Sequence, residues 1–312
     1  MLKIYDCSNT IERPTHRKIS YCPVENTIVS DLKKYASDFN ALWVSDINKA
    51  DVLFTNDVFP SNVLLSTIRK VKRMDGIFQL NSLKERNEKL NYSAQIADDV
   101  IFVSEFSKQS YIKLYGDNLK NTNVVLNTVD EKVFFNTGLE TDDLIFSASC
   151  SNWERPEKRF SSLMDLAEYM PNIVHLIGNC PFKVPKNVIK WGYIRDDQKI
   201  NEILNMSNAF INVSYKDACP KTVSQAVACG LPVLYANSGG VPEQVKYGMD
   251  FYEKGLIGFE DNIPKLEFDR ISIAYIMFIQ HFKRLRYCAL KNKITHLDTL
   301  SKYYDILKKE RK

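Results

Sequence analysis

The sequence predicts an α/β chain folded as two Rossmann-like domains that face each other across a cleft. Three observations carry this expectation. Short apolar runs of strand length alternate with helical patterns along the whole chain, which is how parallel sheets with helices on their faces are written. A polar, glycine-containing stretch, Phe135–Asp142, interrupts that alternation near the middle, as a linker would. The 312 residues suffice for two domains of about 150 residues each. The expected domains are 1–138 and 139–312, the second closing in helices.

In the first half the apolar runs Leu2–Tyr5, Ala41–Val44, Asp51–Thr55, Ile77–Leu80, Asp99–Ser104 and Val124–Leu126 read as strands. Between them Asn26–Ser37, Ser61–Lys70, Leu83–Ile96 and Glu105–Tyr115 read as helices. In the second half Leu144–Ala148, Ile173–Ile177, Val188–Trp191, Ala209–Val213 and Pro232–Ala236 read as strands, and Lys158–Tyr169, Asp197–Met206 and Thr222–Cys229 as helices. From Asp269 to Lys309 apolar residues recur at three- and four-residue steps, the period of amphipathic helices.

Composition excludes several classes. Hydrophobic residues at 45% and charged residues at 26% are those of an ordinary globular protein. A net charge of +4 admits an anionic ligand or, at most, peripheral contact with a weakly anionic membrane surface, and argues against a nucleic-acid binder. Met1–Asp6 reads as a first strand with no apolar signal region, and the apolar run Ile271–Ile279 is far short of the roughly 20 residues of a membrane span. Seven scattered cysteines without a C-x-x-C pair point to free thiols in a reducing, cytoplasmic setting. No D-x-D or paired-histidine spacing occurs, so no metal and no other cofactor is expected. No G-x-G-x-x-G follows the first strand, against a nicotinamide dehydrogenase.

The most informative block is 217–243, DACPKTVSQAVACGLPVLYANSGGVPE. A polar loop leads to a helix starting at Pro220 and stopping at Gly230. A buried strand follows, then the double glycine Gly239–Gly240, then a second Pro-started helix. Two successive helix N-termini at one sheet edge suit a diphosphate, because their N–H groups and dipoles favour anionic oxygens. Gly239 and Gly240 either bring backbone close to a ligand or make a plain strand–helix turn. Arg155 and Lys158, in Ser151-Asn-Trp-Glu-Arg-Pro-Glu-Lys-Arg-Phe160, precede another helix. They either neutralise an anion or form a solvated basic cluster with Arg159 and Glu154. Gln225 lies off the stripe made by Val223, Ala226 and Val227, and can face a cleft.

The 217–243 block resembles the donor-sugar site of retaining glycosyltransferases with the GT-B fold, of the family 4 type (glycosyl transferases group 1). That signature reads Glu, seven residues, Glu, then Ala-x-Ala-x-Gly-x-Pro-Val, then Gly-Gly-x-x-Glu. Here its two acids are Asp217 and Gln225. Asn127-Thr-Val-Asp130 with Phe134, the basic loop 151–160, Gly178 and Gly192-Tyr-Ile194 fit the same family in order and spacing. The resemblance implies that Lys158 and Arg155 face the donor phosphates and that Asp217 contacts the donor sugar. It also implies that Gln225 holds the ribose, with Thr222, Val223, Gly239 and Gly240 lining the nucleotide. A helix near Thr299–Lys308 would cross back onto the first domain. The N-terminal domain departs from the pattern, since no glycine precedes Gly76. There Asp75 either orients an acceptor hydroxyl or caps the turn at Gly76.

The expected function is transfer of a hexose from a UDP- or GDP-sugar to a hydroxyl of a sugar, glycan or glycoconjugate, with retention and without metal. The alternatives are a nucleotide-sugar epimerase or hydrolase on the same fold, and a non-catalytic nucleotide-sugar-binding protein. The last is suggested by Gln225, Asp217 and the missing N-terminal glycines.

Overall fold

Two six-stranded sheets organise the chain, and every strand pairing in both is parallel. The structure is a computed structural model that describes residues 1–9, 27–77, 83–138, 143–251, 263–291 and 295–310. The part of the expected strand at 78–80 and the linker residues 139–142 lie outside them.

The first unit holds Met1–Leu126 and Leu297–Lys312. Its strands are β1 (Leu2–Asp6), β2 (Ala41–Val44), β3 (Val52–Thr55), β4 (Arg69–Met74), β5 (Asp99–Phe102) and β6 (Thr122–Val124), in the order β2-β1-β3-β4-β5-β6. Helices α1 (Thr27–Lys34), α2 (Lys84–Gln95) and α3 (Glu105–Tyr115) connect them. One face packs Ile4, Leu32, Phe54 and Ile101 against the last helix, His296–Leu307. Leu300, Tyr303, Tyr304 and Leu307 of that helix are fully buried there at i, i+3, i+4, i+7 spacing. The return of the final helix to the first unit is thus as expected. The other face buries Leu53, Phe59, Leu90, Phe102 and Tyr111.

The second unit starts at Asn127 and runs to His296. Its strands are β7 (Phe146–Asn152), β8 (Val174–Asn179), β9 (Val188–Gly192), β10 (Ala209–Asn212), β11 (Val233–Ala236) and β12 (Gly248–Phe251), ordered β12-β11-β10-β7-β8-β9. Helices α4 (Phe160–Tyr169) and α8 (Phe268–Lys291) share one core cluster with β7 and β8; α5 (Asp197–Asn205) and α6 (Lys221–Ala228) share another with β10 and β11. Val129 and Phe134 pack into that second cluster, which places Asn127–Gly138 with the second unit rather than the first.

Three elements differ from expectation. Residues 61–70 form no α-helix: a single 3₁₀ turn, Ser61–Val63, is followed by β4. β4 itself is a strand where a helix was expected to end, and of the expected strand Ile77–Leu80 only Ile77 is described. The reason is chemical. β4 reads Arg-Lys-Val-Lys-Arg-Met, all buried, with Arg69, Val71 and Arg73 on one face and Lys70, Lys72 and Met74 on the other. Cations on both faces erase the apolar alternation by which strands are recognised. Each finds a partner: Arg73 donates to the Tyr303 hydroxyl at 3.0 Å, and Lys72 to the Asp57 carbonyl. Burial pulls the Lys72 ammonium down to about 8, against the opposite influence of Asp57 and Asp75. The third difference is β12, a short edge strand with charge and glycine instead of an apolar pattern. A Cβ at Gly248 would stand 2.2 Å from the Val233 carbonyl oxygen, so close pairing with β11 needs glycine.

Arg69 fixes the last helix to the first sheet. It pairs with Asp99 at 2.6 Å and donates to the carbonyls of Ile306 and Leu307 at 2.7 and 2.9 Å, a cation on helix-terminal carbonyls. Arg69→Met leaves Asp99 short of a buried partner and is expected to cost about 3–5 kcal/mol, measured by urea denaturation. Hydrogen exchange should accelerate through 297–307. An unchanged midpoint and unchanged exchange would show that apolar packing alone holds the helix.

Candidate active site

In the second sheet the strand order reverses between β7 and β10, and open α/β sheets bind ligands beyond the carboxyl ends of strands at such a switch. Three loops meet there. The loop after β7 carries Arg155 and a 3₁₀ turn, Pro156–Lys158, and enters α4 through Arg159. The loop after β10 runs through Lys216, Asp217 and Pro220 into α6. The loop after β11 carries Ser238, Gly239 and Gly240 into α7 (Val241–Gln244).

Asp217 ties the three together. Its carboxylate accepts from the Lys158 ammonium at 2.5 Å, and its backbone carbonyl accepts from the Gly240 N–H at 2.8 Å. The Lys216 N–H donates to the Ser238 hydroxyl at 2.9 Å, and the Tyr215 N–H to the Glu157 carbonyl at 2.8 Å. Gly239 has φ +69, and a Cβ there would stand 2.2 Å from the Asp217 carbonyl oxygen. Only glycine permits this contact. Arg159 and Lys216 adopt φ of 50° and 51°; with Asn40 they are the only non-glycine residues at positive φ among those described. Two of three such conformations thus flank one ion pair, where the surrounding bonds hold them.

The electrostatics follow from burial. Lys158 is 7% exposed. Burial acts to raise the Asp217 pKa, but the charge and hydrogen bond of Lys158, with Arg155 and the Cys219 N–H, more than offset it and hold the carboxyl below its ordinary value. Asp217 is therefore a carboxylate at neutral pH. Arg159, by contrast, is buried with its guanidinium 4.3 Å from the Tyr215 ring centroid, a cation–π contact beside the pair.

Behind the loop a polar network fixes the start of α6. The Asn127 side chain donates to the Cys219 carbonyl at 2.8 Å, while the Asn127 carbonyl accepts from the Ser224 hydroxyl at 2.8 Å. The Gln244 amide donates to Ser224 Oγ at 2.7 Å and to the Pro220 carbonyl at 3.2 Å. Asn127 stands 92 residues before Cys219. The sequence marks it only as the first residue of Asn-Thr-Val-Asp, so its clamp on the loop comes from the structure.

The expected residues divide clearly. Lys158, Asp217, Gly239 and Gly240 come together, and Thr222 lies in the first turn of α6, whose N-cap Pro220 makes no side-chain cap. Arg155 is exposed and its guanidinium pairs with Glu157, so Arg159 is the cation buried beside Lys158. The Val223 side chain is fully buried in the core, so it supports α6 from within. Gln225, expected to face a cleft, is 4% exposed. α7 has four residues, one turn, which makes it a weak dipole where a second helix N-terminus was expected. Asp75 belongs to the first unit, follows β4 and pairs with Arg73. Among the described residues no three acidic, histidine or cysteine side chains gather as a metal needs.

Comparison with known proteins fits this geometry. Residues 182–266 match the family model for glycosyl transferases group 1, a segment that includes Asp217, α6 and Gly239–Gly240. No curated protein sequence matches the chain. Anabaena Alr3699/HepE in complex with UDP-glucose is similar in structure at TM-score 0.66 and 15% identity, covering 98% of this chain and 99% of that one. Sucrose-phosphate synthase from Thermosynechococcus elongatus gives 0.65 at 14% identity, covering 97% and 87%. A glycosyltransferase from Rickettsia africae gives 0.59 at 17%, covering 96% and 84%. The fold is GT-B, as expected, and the expected likeness to glycosyl transferases group 1 is found over residues 182–266.

Because folding lowers the Asp217 pKa, the stabilisation from its ion pair is complete above about pH 3.9 and is lost as pH falls through the lower folded value. Asp217→Asn should therefore flatten the acid limb of the stability–pH curve, followed by thermal melting. A cycle with Lys158→Met should give a coupling of about 0.5–3 kcal/mol, the single Lys158→Met being worse than additivity with Asp217→Asn allows. Strict additivity would mean the pair contributes nothing.

Proposed function

We propose that this GT-B chain, with its glycosyl transferases group 1 segment, moves a hexose from a nucleoside-diphosphate sugar to an acceptor hydroxyl. In this reading the anomeric configuration is retained, no metal takes part and the enzyme works in the cytoplasm. The observation that carries it is the partly buried Lys158–Asp217 pair at the β7/β10 switch point, next to the N-terminus of α6. HepE, similar in fold, has been solved with UDP-glucose and with UDP, which supports a UDP-sugar as the first donor to test.

The pair suggests how donor binding and bond cleavage are linked. Without donor, Asp217 neutralises Lys158 and keeps the ammonium in place. A diphosphate arriving at α6 offers Lys158 a second anionic partner, and the ammonium shares its three protons between them. Asp217, partly released, can accept hydroxyl protons of the donor sugar. As the glycosidic bond breaks, negative charge grows on the leaving phosphate. Lys158 and the α6 N–H groups are already aimed at it, so little reorganisation is needed in the transition state. Arg159 and Arg155 add positive potential around the same point.

The two Asp217 roles separate in experiment. Lys158→Ala should weaken UDP at least tenfold in calorimetric titration while leaving uridine nearly unchanged. Asp217→Asn should leave UDP affinity equal or tighter, because it frees Lys158, yet reduce turnover by about 10²-fold or more. If both variants lose uridine and UDP equally, the pair is structural and the assignment fails. Activity should persist in EDTA, and NMR of the first product should show the donor's anomeric configuration. An inverted product rules out the retaining mechanism. Donor binding without transfer across a broad acceptor panel would establish the binding-protein alternative, and sugar release without any acceptor the hydrolase.

A further inference from the structure

The long helix α8 is apolar on both sides over its first half. Its inner side buries Ile271, Ala274, Tyr275 and Phe278 in the core of the second unit. On its outer side Ile273, Ile276 and Met277 are 58, 44 and 43% exposed. A surface helix normally turns charged residues outward, and one that is apolar all round is a buried helix. The same outer strip continues differently: Lys283 and Arg284 follow Ile276 and Met277 by seven positions, two turns on, and Tyr287 follows Arg284 by three. All three are exposed. From Arg270 to Lys291 the helix contains no Asp or Glu.

We propose that this strip docks the protein on an anionic phospholipid surface. Ile273, Ile276 and Met277 would enter the acyl boundary, Lys283 and Arg284 would meet lipid phosphates and carboxylates, and Tyr287 would lie at the headgroup level. An interfacial helix needs this combination: apolar side chains for burial, cations for the negative surface, and an amphipathic ring between them. Charge complementarity selects lipid over a second copy of the chain. In a two-fold contact the strip meets itself, and its one acid, Asp269, against the two cations Lys283 and Arg284 leaves one cation of each copy without an opposite charge on the strip. The inference does not rest on the transferase reading, since the strip lies on α8 and involves none of the residues around Asp217.

Co-sedimentation of the full chain with vesicles tests it. Binding is expected to phosphatidylcholine–phosphatidylserine vesicles and not to pure phosphatidylcholine, and it should weaken as salt rises. Ile276→Glu with Met277→Glu, and separately Lys283→Glu with Arg284→Glu, should each lower partitioning at least tenfold. Leu65→Glu, at an exposed apolar residue of the first unit, should leave it unchanged. All five positions are exposed, and unchanged melting temperatures will show that each variant is folded. Failure of the wild type to bind phosphatidylserine vesicles overturns the proposal, as does binding that neither α8 variant diminishes. A concentration-dependent dimer abolished by Ile276→Glu with Met277→Glu, without vesicle binding, would assign the strip to a second copy instead.

Discussion

The three loops that meet at the switch point of the second unit depend on the ion pair between Lys158 and Asp217. Desolvating two charges is costly, and a buried pair is retained only where its geometry is good and its remaining polar atoms are satisfied. Here the loop around Asp217 is over-determined. Its carbonyl is held by Gly240, its Cα approach is open only because residue 239 is glycine, and the preceding residue is held at positive φ by a bond to Ser238. Such bracing does little for global stability. It is what a charge needs if it is to stay in one place for an incoming anion, because a preorganised cation avoids reorganisation when charge develops.

The first unit shows the same economy with a different result. β4 buries four cations in one strand, yet the arrangement is stable because each has a specific oxygen to meet. The Arg69 guanidinium, planar and multidentate, spans Asp99 and two helix-terminal carbonyls at once. Tyr304 complements this from the last helix, stacking on Phe39 at 4.6 Å and accepting from the Trp43 indole. A segment far away in sequence is thereby tied to the first sheet by directional polar contacts as well as by burial.

These two sites mark the limits of what the sequence makes legible. The apolar run Ala41–Val44 and the helical pattern Glu105–Tyr115 coincide with β2 and α3. The two-sheet architecture and the return of the last helix could be anticipated too. β4 could not, because its pattern is set by partners that only folding brings near: Asp99, Tyr303 and the carbonyls at 306 and 307. The site divides similarly. Lys158, Asp217 and the glycines are marked by spacing, whereas Arg159 reads as one more surface charge until Tyr215 is seen beneath it. Gln225 looks outward on a helical wheel, but a wheel describes one helix alone, and α6 is surrounded closely enough to bury it.

Asn127 shows how the loop and the fold are coupled. Its side chain and backbone bond to both ends of the turn from Cys219 to Ser224, and Gln244 reaches the same turn from behind. The first residues of α6 therefore cannot relax independently of the segment that opens the second unit. A helix N-terminus binds an anion well only if its N–H groups keep their direction when the anion is absent. With Pro220 as an N-cap that supplies no side-chain acceptor, the clamp from Asn127 and Gln244 holds that direction while leaving the N-terminus without a competing cap. A serine or aspartate cap would stabilise the helix locally, by about 0.5–2 kcal/mol, and would occupy the donors an anion needs. The stabilising contacts come instead from Asn127 and Gln244 on the far side of the turn, which leaves the first N–H groups of α6 without a side-chain cap.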